Sequence, residues 1–375
     1  MPEGTGRVLT THVGSLPRPG RLVDRQGIAS PALREAVADV VKRQVDTGLD
    51  IVTDGEFGKP GFASYAFSRL GGFELATDAP TQPWWTGSKE ERDFPEYYAA
   101  LAAHSPHYSF PAARMVCIGP VTYKSDEALT RDLDNFRAAL DKFPARRTFM
   151  PSCAPSNLLL SSDNEYYADE EEFLFAVAEA MREEYMKILA AGHDLQIDDP
   201  TLVTHYAMDK DSDVAGARAW ALVRIEALNQ ALRGLPQNRI RLHTCYSVDS
   251  GPRTNDMELR DIADVLLRAD VGAYSFEAAN PRHEHEWKIW EELTLPDDKI
   301  VIPGVITQST PMVEHPELVA DRIRRFVSIF GPDRVIAGAD CGFAAIADSE
   351  DAQERISWAK LRSLVIGTQL ASNTA

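Results

Sequence analysis

Short apolar runs that alternate with amphipathic helical segments are the feature that most limits how this chain can fold. Strands that alternate with helices pair in parallel, because each helix returns the chain to the same end of the sheet. The sequence therefore predicts an α/β fold built from repeated strand–helix units. Eight runs are predicted to be its main strands, at residues 8–14, 50–53, 148–152, 194–198, 239–243, 272–276, 299–305 and 334–339.

Reactive side chains follow the carboxyl ends of many of these strands. In a (βα)8 barrel the strand ends meet on one face, where active sites lie, whereas a doubly wound sheet uses fewer strands for its site. We therefore predict a single (βα)8 TIM barrel over residues 1–375. An insertion around residues 78–118 is predicted to form a lid or an interface, with an extra strand at 114–118 outside the barrel.

The charge of the chain excludes several classes of function. The 375 residues include 39 Lys and Arg against 57 Asp and Glu, a net charge of −18. This charge disfavours nucleic acid and anionic membranes as partners, because both need a basic face. No apolar run approaches the ~20 residues of a membrane-spanning helix, and residues 1–7 lead into no signal sequence. We expect a cytoplasmic protein, monomeric or homo-oligomeric.

Four side chains at strand ends suggest a metal centre. His243 and Cys245 are two residues apart, so both side chains face the same side of an extended chain. Cys341 and Glu277 end two other predicted strands. One nitrogen, two sulfurs and one carboxylate form a tetrahedral set that suits zinc. The alternative is a buried thiol beside a hydrogen-bonded core histidine. The His- and Glu-rich segment 280–287 is interpreted as support behind the site.

A zinc ion with two cysteine ligands indicates a particular chemistry. Two thiolates lower its Lewis acidity, which favours a soft sulfur ligand over a hydrolytic water. A small thiol that binds such an ion loses its proton and stays a thiolate at neutral pH. If Glu277 leaves or lengthens its bond to admit this thiol, the sulfur becomes an activated nucleophile toward an alkyl donor.

Other strand-end residues are candidates to bind the thiol substrate. Glu56 and Asp198 would face the pocket and bind the ammonium group of an amino-acid thiol, so we assign both as catalytic and substrate-binding residues. The Ser15 hydroxyl, nearby backbone N–H groups or the Arg18 guanidinium would hold its carboxylate. Ser15 and Arg18 are therefore predicted to bind substrate.

The chain resembles the catalytic C-terminal barrel of cobalamin-independent methionine synthase. The resemblance implies a TIM barrel, zinc held by His243, Cys245, Glu277 and Cys341, and methyl transfer to homocysteine as in methionine biosynthesis. It also implies homocysteine contacts from Ser15, Glu56 and Asp198. Five stretches carry it: TTHVGSLPRP at 10–19, DIVTDGEF at 50–57, LQIDDP at 195–200, LHTC at 242–245 and GADCGF at 338–343.

Two positions depart from that family. Its synthases carry a His in a GVxDIHSP-like stretch, where this chain has Ser309. They also carry a Trp that stacks on the folate after the third strand, whereas this chain has no Trp between Trp85 and Trp220. Both departures weigh against methyl-folate as the donor, while the predicted thiol-activating residues are kept.

Three other functions remain open. Epoxyalkane:coenzyme M transferases are similar short zinc barrels in which a sulfonate thiol opens an epoxide, and coenzyme M would need basic partners. The candidates are Arg18, Lys59, Lys124 and Arg282. A lyase of the uroporphyrinogen-decarboxylase type shares the fold without zinc, and a non-catalytic binding barrel is the third alternative. Homocysteine is the first choice, because Glu56 and Asp198 suit an amino group that coenzyme M lacks.

Overall fold

The computed structural model describes residues 6–19, 22, 31–76, 83–104, 114–246, 251–344 and 354–372. Residues 78–82 and 105–113 of the predicted insertion lie outside these ranges. The α-helices described are α1 (Pro31–Thr47), α2 (Phe62–Phe67), α3 (Lys89–Asp93), α4 (Pro95–His104), α5 (Glu127–Leu140), α6 (Pro155–Leu160), α7 (Glu170–Ala190), α8 (Thr201–Met208), α9 (Val214–Leu232), α10 (Leu259–Leu266), α11 (Pro316–Phe330) and α12 (Glu354–Ser372). Short 3-10 helices cover Gln237–Arg239, Glu284–Glu291 and Pro332–Arg334.

The strands form a nearly closed barrel and a small separate sheet. They are β1 (Leu9–Thr10), β2 (Ile51–Val52), β3 (Leu70–Leu75), β4 (Met115–Tyr123), β5 (Arg147–Cys153), β6 (Ser162–Asn164), β7 (Asp194–Asp198), β8 (Ile240–His243), β9 (Ala273–Phe276), β10 (Ile300–Ile306) and β11 (Ile336–Ala339). The barrel strands lie in the order β1-β11-β10-β9-β8-β7-β5-β2, and all their pairs are parallel. The predicted (βα)8 barrel is confirmed, with every predicted barrel strand present.

Side chains join β1 to β2, where the barrel ladder is interrupted. The Asp50 carboxylate accepts a hydrogen bond from the backbone N–H of Thr10 at 3.0 Å, and the Asp50 N–H donates to the Thr10 hydroxyl at 3.1 Å. Arg7 forms an ion pair with the same carboxylate. These contacts replace a backbone ladder, which explains why β1 and β2 are much shorter than the predicted strands.

The barrel interior contains an apolar cluster and the buried guanidinium of Arg241. The guanidinium of Arg241 lies 3.5 Å from the ring centroid of Phe149 and donates to the Thr11 hydroxyl and the His12 carbonyl. The interior is therefore a packed core, and it leaves the strand ends as the place for a site. The apolar cluster of the interior comprises Leu9, Ile51, Phe149, Ala273, Ile300, Ile302 and Ile336.

The extra strand predicted at residues 114–118 is confirmed and is longer than predicted. It runs as β4, pairs antiparallel with β3 and parallel with β6, and lies outside the barrel. Sequence analysis missed β3 and β6 because β3 contains two glycines and β6 is a short polar segment. Gly72 lies at the irregular step of β3 with φ of 89°, and a Cβ there would lie 2.6 Å from the Pro120 carbonyl oxygen.

The described part of the insertion, residues 83–104, folds back onto the barrel. Ser88 caps α3 by accepting a hydrogen bond from the Glu91 N–H. The Lys89 ammonium donates to the Ser212 carbonyl at 2.7 Å and lies 3.3 Å from the Tyr206 ring centroid on α8. Across the described ranges, no helix combines the length and apolar character needed to cross a membrane.

Candidate metal centre and active site

Three side chains from two strand ends converge on one buried point. His243 is the last residue of β8, Cys245 follows it by two residues, and Cys341 follows β11. Their donor atoms all lie within 4.8 Å of one another, and the two sulfurs are 3.3 Å apart. Among the described residues this is the one group of three or more such side chains with donors this close. We refer to these residues as the three-donor group.

The environment of the three-donor group fits a soft divalent cation. The Nδ1 of His243 is 3.1 Å from the Ser275 hydroxyl, while its buried Nε2 has no hydrogen-bond partner within the described structure. The neighbouring Cys245 thiol and burial raise the pKa of Cys341 well above its usual value. A cation at this point would satisfy the nitrogen and stabilise both thiolates, so the residues present fit zinc.

Glu277 lies beside the three-donor group but is bound by other protein donors. Its carboxylate accepts hydrogen bonds from the Tyr246 N–H at 2.8 Å, from Arg253 at 2.8 Å and from the Asn280 amide at 2.7 Å. Burial raises the pKa of Glu277 to about 7, although Arg253 opposes this shift. The fourth predicted ligand is thus near the centre, and its direct bond to a metal stays a prediction.

Glu56 and Asp198 face one polar cavity next to the three-donor group. Asp198 ends β7 in register with His243 on β8 and accepts a hydrogen bond from the Gln196 amide at 2.6 Å. Burial and the Glu56 carboxylate raise the pKa of Asp198 to about 7, against the effect of His243. The lining of the cavity comprises Glu56, Lys59, Tyr65, Arg69, Ser152, Cys153, Glu184 and Asp198.

Lys59 shares this cavity as a buried cation. Its ammonium lies 3.1 Å from the Glu56 carboxylate and donates to the Pro151 carbonyl at 2.7 Å. The sequence suggested Lys59 only as a sulfonate partner and missed its ion pair with Glu56. The spacing of three residues between the two, in a stretch where Gly58 and Pro60 favour a turn, was the available signal.

Ser15 and Arg18 connect the loops that surround the centre. The Ser15 hydroxyl accepts a hydrogen bond from the Ala344 N–H at 3.2 Å, which places Ser15 against the segment that follows Cys341. Arg18 donates to the backbone carbonyls of Glu56 and Lys59, both at 2.8 Å, and to that of Ala344 at 3.2 Å. The structure therefore gives Arg18 a loop-bridging position, and its direct contact with substrate stays a prediction.

His283 packs against Tyr246, next to the three-donor group, within the segment 280–287 that the sequence interpretation placed behind the site. Its ring lies between the carboxylates of Asp256 at 3.0 Å and Glu286 at 2.9 Å and stacks on Tyr246 at 3.9 Å. Burial alone would lower its pKa, but the two carboxylates raise the pKa of His283 to about 9. The His283 ring is thus a buried cation, and it packs against Tyr246, the residue that follows Cys245.

We expect His283→Gln to destabilise the protein by about 3–5 kcal/mol near neutral pH, because it leaves two buried carboxylates without their cation. The raised pKa predicts stability that is full below pH 6.5 and is lost as the pH rises toward 9, by up to about 3 kcal/mol. Urea unfolding at pH 6.5 and 9 measures this difference. The matched control is His285→Gln, which changes an exposed histidine two residues away. An equal pH dependence in His283→Gln and wild type would contradict the assignment.

The fold and the three-donor group define a barrel enzyme with a sulfur-rich centre at its strand ends. The chain matches the family described as cobalamin-independent synthase, catalytic domain, over residues 153–360, and it belongs to that family. The predicted family resemblance is confirmed. This membership supports a thiol methyl-transfer function for the enzyme.

Curated relatives and solved structures agree with this assignment. The methionine synthases of Thermococcus kodakarensis and Saccharolobus islandicus strain Y.N.15.51 are each 26% identical to this chain. Their alignments cover 96% of this chain and 92% and 94% of those proteins. A B12-independent methionine synthase structure from Shewanella sp. W3-18-1, in complex with selenomethionine, matches with a TM-score of 0.75, 20% identity and 98% coverage of both chains. A putative B12-independent synthase from Listeria monocytogenes matches at 0.66 and 19% identity, covering 98% of this chain and 99% of that chain. Both structures share the fold.

Proposed function

We propose that this protein is a zinc-dependent thiol methyltransferase that acts on homocysteine, with residues 1–375 forming one catalytic unit. The observation that carries the proposal is the buried three-donor group, whose donors lie within 4.8 Å of one another beside a cavity lined by Glu56 and Asp198 among other residues. Relatives named methionine synthase, aligned over 96% of the chain, support homocysteine as the acceptor.

Some residues of the site would hold the metal, and others would bind the substrate. His243, Cys245, Cys341 and Glu277 would hold zinc, whose charge lowers the pKa of an incoming thiol. Ser275 contacts Nδ1 of the His243 ring, which would leave Nε2 to bind the metal. Gln196 holds the Asp198 carboxylate in place.

Glu56 and Asp198 would bind the substrate ammonium inside the cavity, while Ser15 would sit near its carboxylate. Charge-assisted hydrogen bonds of this kind fix the orientation of a small substrate. The sulfur would then form a bond to the methyl carbon as the donor's leaving atom takes the electron pair of the broken bond. Ser309, whose hydroxyl is 2.9 Å from that of Thr307, occupies the position of the family's proton-donating histidine.

A second candidate is epoxide opening by coenzyme M, which the position of Lys59 favours. Its ammonium is buried in the cavity and neutralises part of the Glu56 charge, so a sulfonate thiol would find a cation there. Of the other basic candidates, Lys124 is exposed, and Arg282 is half-buried with its guanidinium 3.3 Å from the Thr254 carbonyl.

A thiol screen tests the proposal. Zinc-loaded protein is incubated with homocysteine or 2-mercaptoethanesulfonate and with methyl-folate, other methyl donors or small epoxides. The expected result is methionine formation that stops after zinc is chelated and returns when zinc is restored. Thiol alkylation that persists in metal-free protein would refute the zinc proposal. Zinc-independent decarboxylation would instead support the lyase alternative.

We also expect homocysteine binding to release about one proton near pH 7.5, because a thiol with a pKa of about 8.5 must enter as thiolate. Calorimetric titrations in two buffers with different ionisation enthalpies count this proton. Metal-free protein is the control and should release none on the same addition. Zero release from the zinc-loaded protein would mean that the sulfur does not reach the metal.

A further inference from the structure

Arg253 is a buried cation next to the metal centre that the sequence did not suggest. Its side chain is 8% exposed, and its guanidinium lies 2.8 Å from the Oε2 of Glu277. Its backbone has φ of 56°, a left-handed conformation that residues other than glycine rarely adopt. Such a conformation persists only where the surrounding structure holds it, so the loop of residues 251–256 must be anchored elsewhere.

Glu90, on α3 of the insertion, is that anchor. Its buried carboxylate accepts hydrogen bonds from the Arg253 N–H at 3.1 Å, the Thr254 hydroxyl at 3.0 Å and the Asn255 N–H at 2.7 Å. The Asn255 side-chain amide donates to the same carboxylate at 3.0 Å. One side chain of the insertion therefore binds three consecutive residues, two of them through the backbone, including the one that reaches Glu277.

The donors around Glu277 form a prepared position for its carboxylate beside the three-donor group. Oε1 accepts from the Tyr246 N–H, and Oε2 accepts from Arg253 and from the Asn280 amide. A buried carboxylate without such partners would be strongly destabilised, so a prepared position of this kind is what lets it leave a metal. Among these three donors, Arg253 alone brings a positive charge.

We propose that Arg253 is a positioning residue that stabilises the Glu277 carboxylate when the substrate thiol takes its place on the metal. The inference rests on the proposed zinc-dependent function and deepens it. The insertion, through Glu90 and the loop of residues 251–256, sets how readily the thiol is admitted. Without Arg253, Glu277 would favour the metal and compete with the thiol.

Zinc-loaded and cobalt-substituted proteins test this proposal by thiol binding and by the cobalt absorption spectrum. For Arg253→Met we expect the Kd for homocysteine to rise about 10- to 100-fold, since a charge-assisted hydrogen bond is lost from the displaced carboxylate. At one fixed homocysteine concentration the cobalt spectrum should shift toward that of the thiol-free protein, because the carboxylate oxygen then stays on the metal. A parallel titration with 2-mercaptoethanesulfonate should weaken in the same way if that thiol is the acceptor.

Three further variants make the test specific. Arg253→Lys keeps a cation and should restore most of the thiol affinity and the wild-type cobalt spectrum. Glu90→Gln acts from the insertion and should shift both measurements in the same direction as Arg253→Met, but less. Glu91→Gln is the matched control, because Glu91 accepts from the Gly87 N–H at the exposed end of the same helix and should change neither measurement.

The outcomes separate this inference from the proposed function. Wild-type thiol affinity and an unchanged cobalt spectrum in both Arg253→Met and Glu90→Gln would overturn the role of Arg253 alone, provided the wild type binds zinc and thiol. A wild-type protein that binds no zinc would overturn both proposals. If Arg253→Met does not fold, Arg253→Lys and Glu90→Gln still decide the result.

Discussion

Replacing Cys245 by serine should remove tight zinc binding and thiol alkylation together. Structural zinc sites contribute about 10–16 kcal/mol of binding, or about 3 kcal/mol for each of four ligands, so the zinc Kd should rise at least about 100-fold. Cys245 is one of three donors within 4.8 Å, and a serine hydroxyl at its place is a poor ligand for a soft site. Competition with a chromophoric chelator measures the Kd, and elemental analysis measures zinc content.

The matched control for this experiment is Cys117→Ser. Cys117 is also a fully buried free thiol, but it lies on β4 in the small sheet outside the barrel. Its replacement should cost some stability and leave the zinc Kd unchanged. Wild-type zinc content together with full activity in Cys245→Ser would remove the basis of the zinc proposal.

Neutralising Glu56 or Asp198 should weaken homocysteine binding by about ten- to a hundredfold at constant zinc content. A hydrogen bond to a charged group is worth about 1.5–3 kcal/mol, and each 1.4 kcal/mol is a factor of ten. Asp198→Asn and Glu56→Gln each remove one partner of the substrate ammonium and keep the shape of the side chain. Titrations with homocysteine and with 2-mercaptoethanesulfonate, which has no ammonium, measure the effect.

Asp199→Asn controls for the general effect of losing a buried carboxylate. Asp199 adjoins Asp198 but accepts hydrogen bonds from the Ser156 and Thr201 hydroxyls, and its pKa is raised to about 6 by burial. Its variant should lower stability without a selective loss of homocysteine affinity. If both cavity variants bind homocysteine as the wild type does, the acceptor is another thiol, and Lys59→Met should then weaken 2-mercaptoethanesulfonate binding.

The position of the site followed from local sequence. Strand–helix alternation predicts parallel strands whose carboxyl ends share one face, so residues that end strands must lie near one another. This reasoning brought together His243, Cys245 and Cys341, although Cys341 is far along the chain from the other two. It also predicted that Glu56 and Asp198 lie near one another, because each lies at or just beyond the carboxyl end of a barrel strand on the same face.

The state of each charged group in the site depended on the tertiary structure. Lys59 and Arg253 lie outside the predicted strands. Lys59 pairs with Glu56, and Arg253 pairs with Glu277. Both ion pairs depend on loop conformations, with positive φ at Glu56 in one loop and at Arg253 in the other. Glu90 contacts the loop of residues 251–256 from a helix more than 150 residues earlier in the chain. Sequence alone identified the chemical groups of this site, because strand geometry is local. Their charge partners were decided only by folding, because ion pairs between loops depend on contacts that no local pattern encodes.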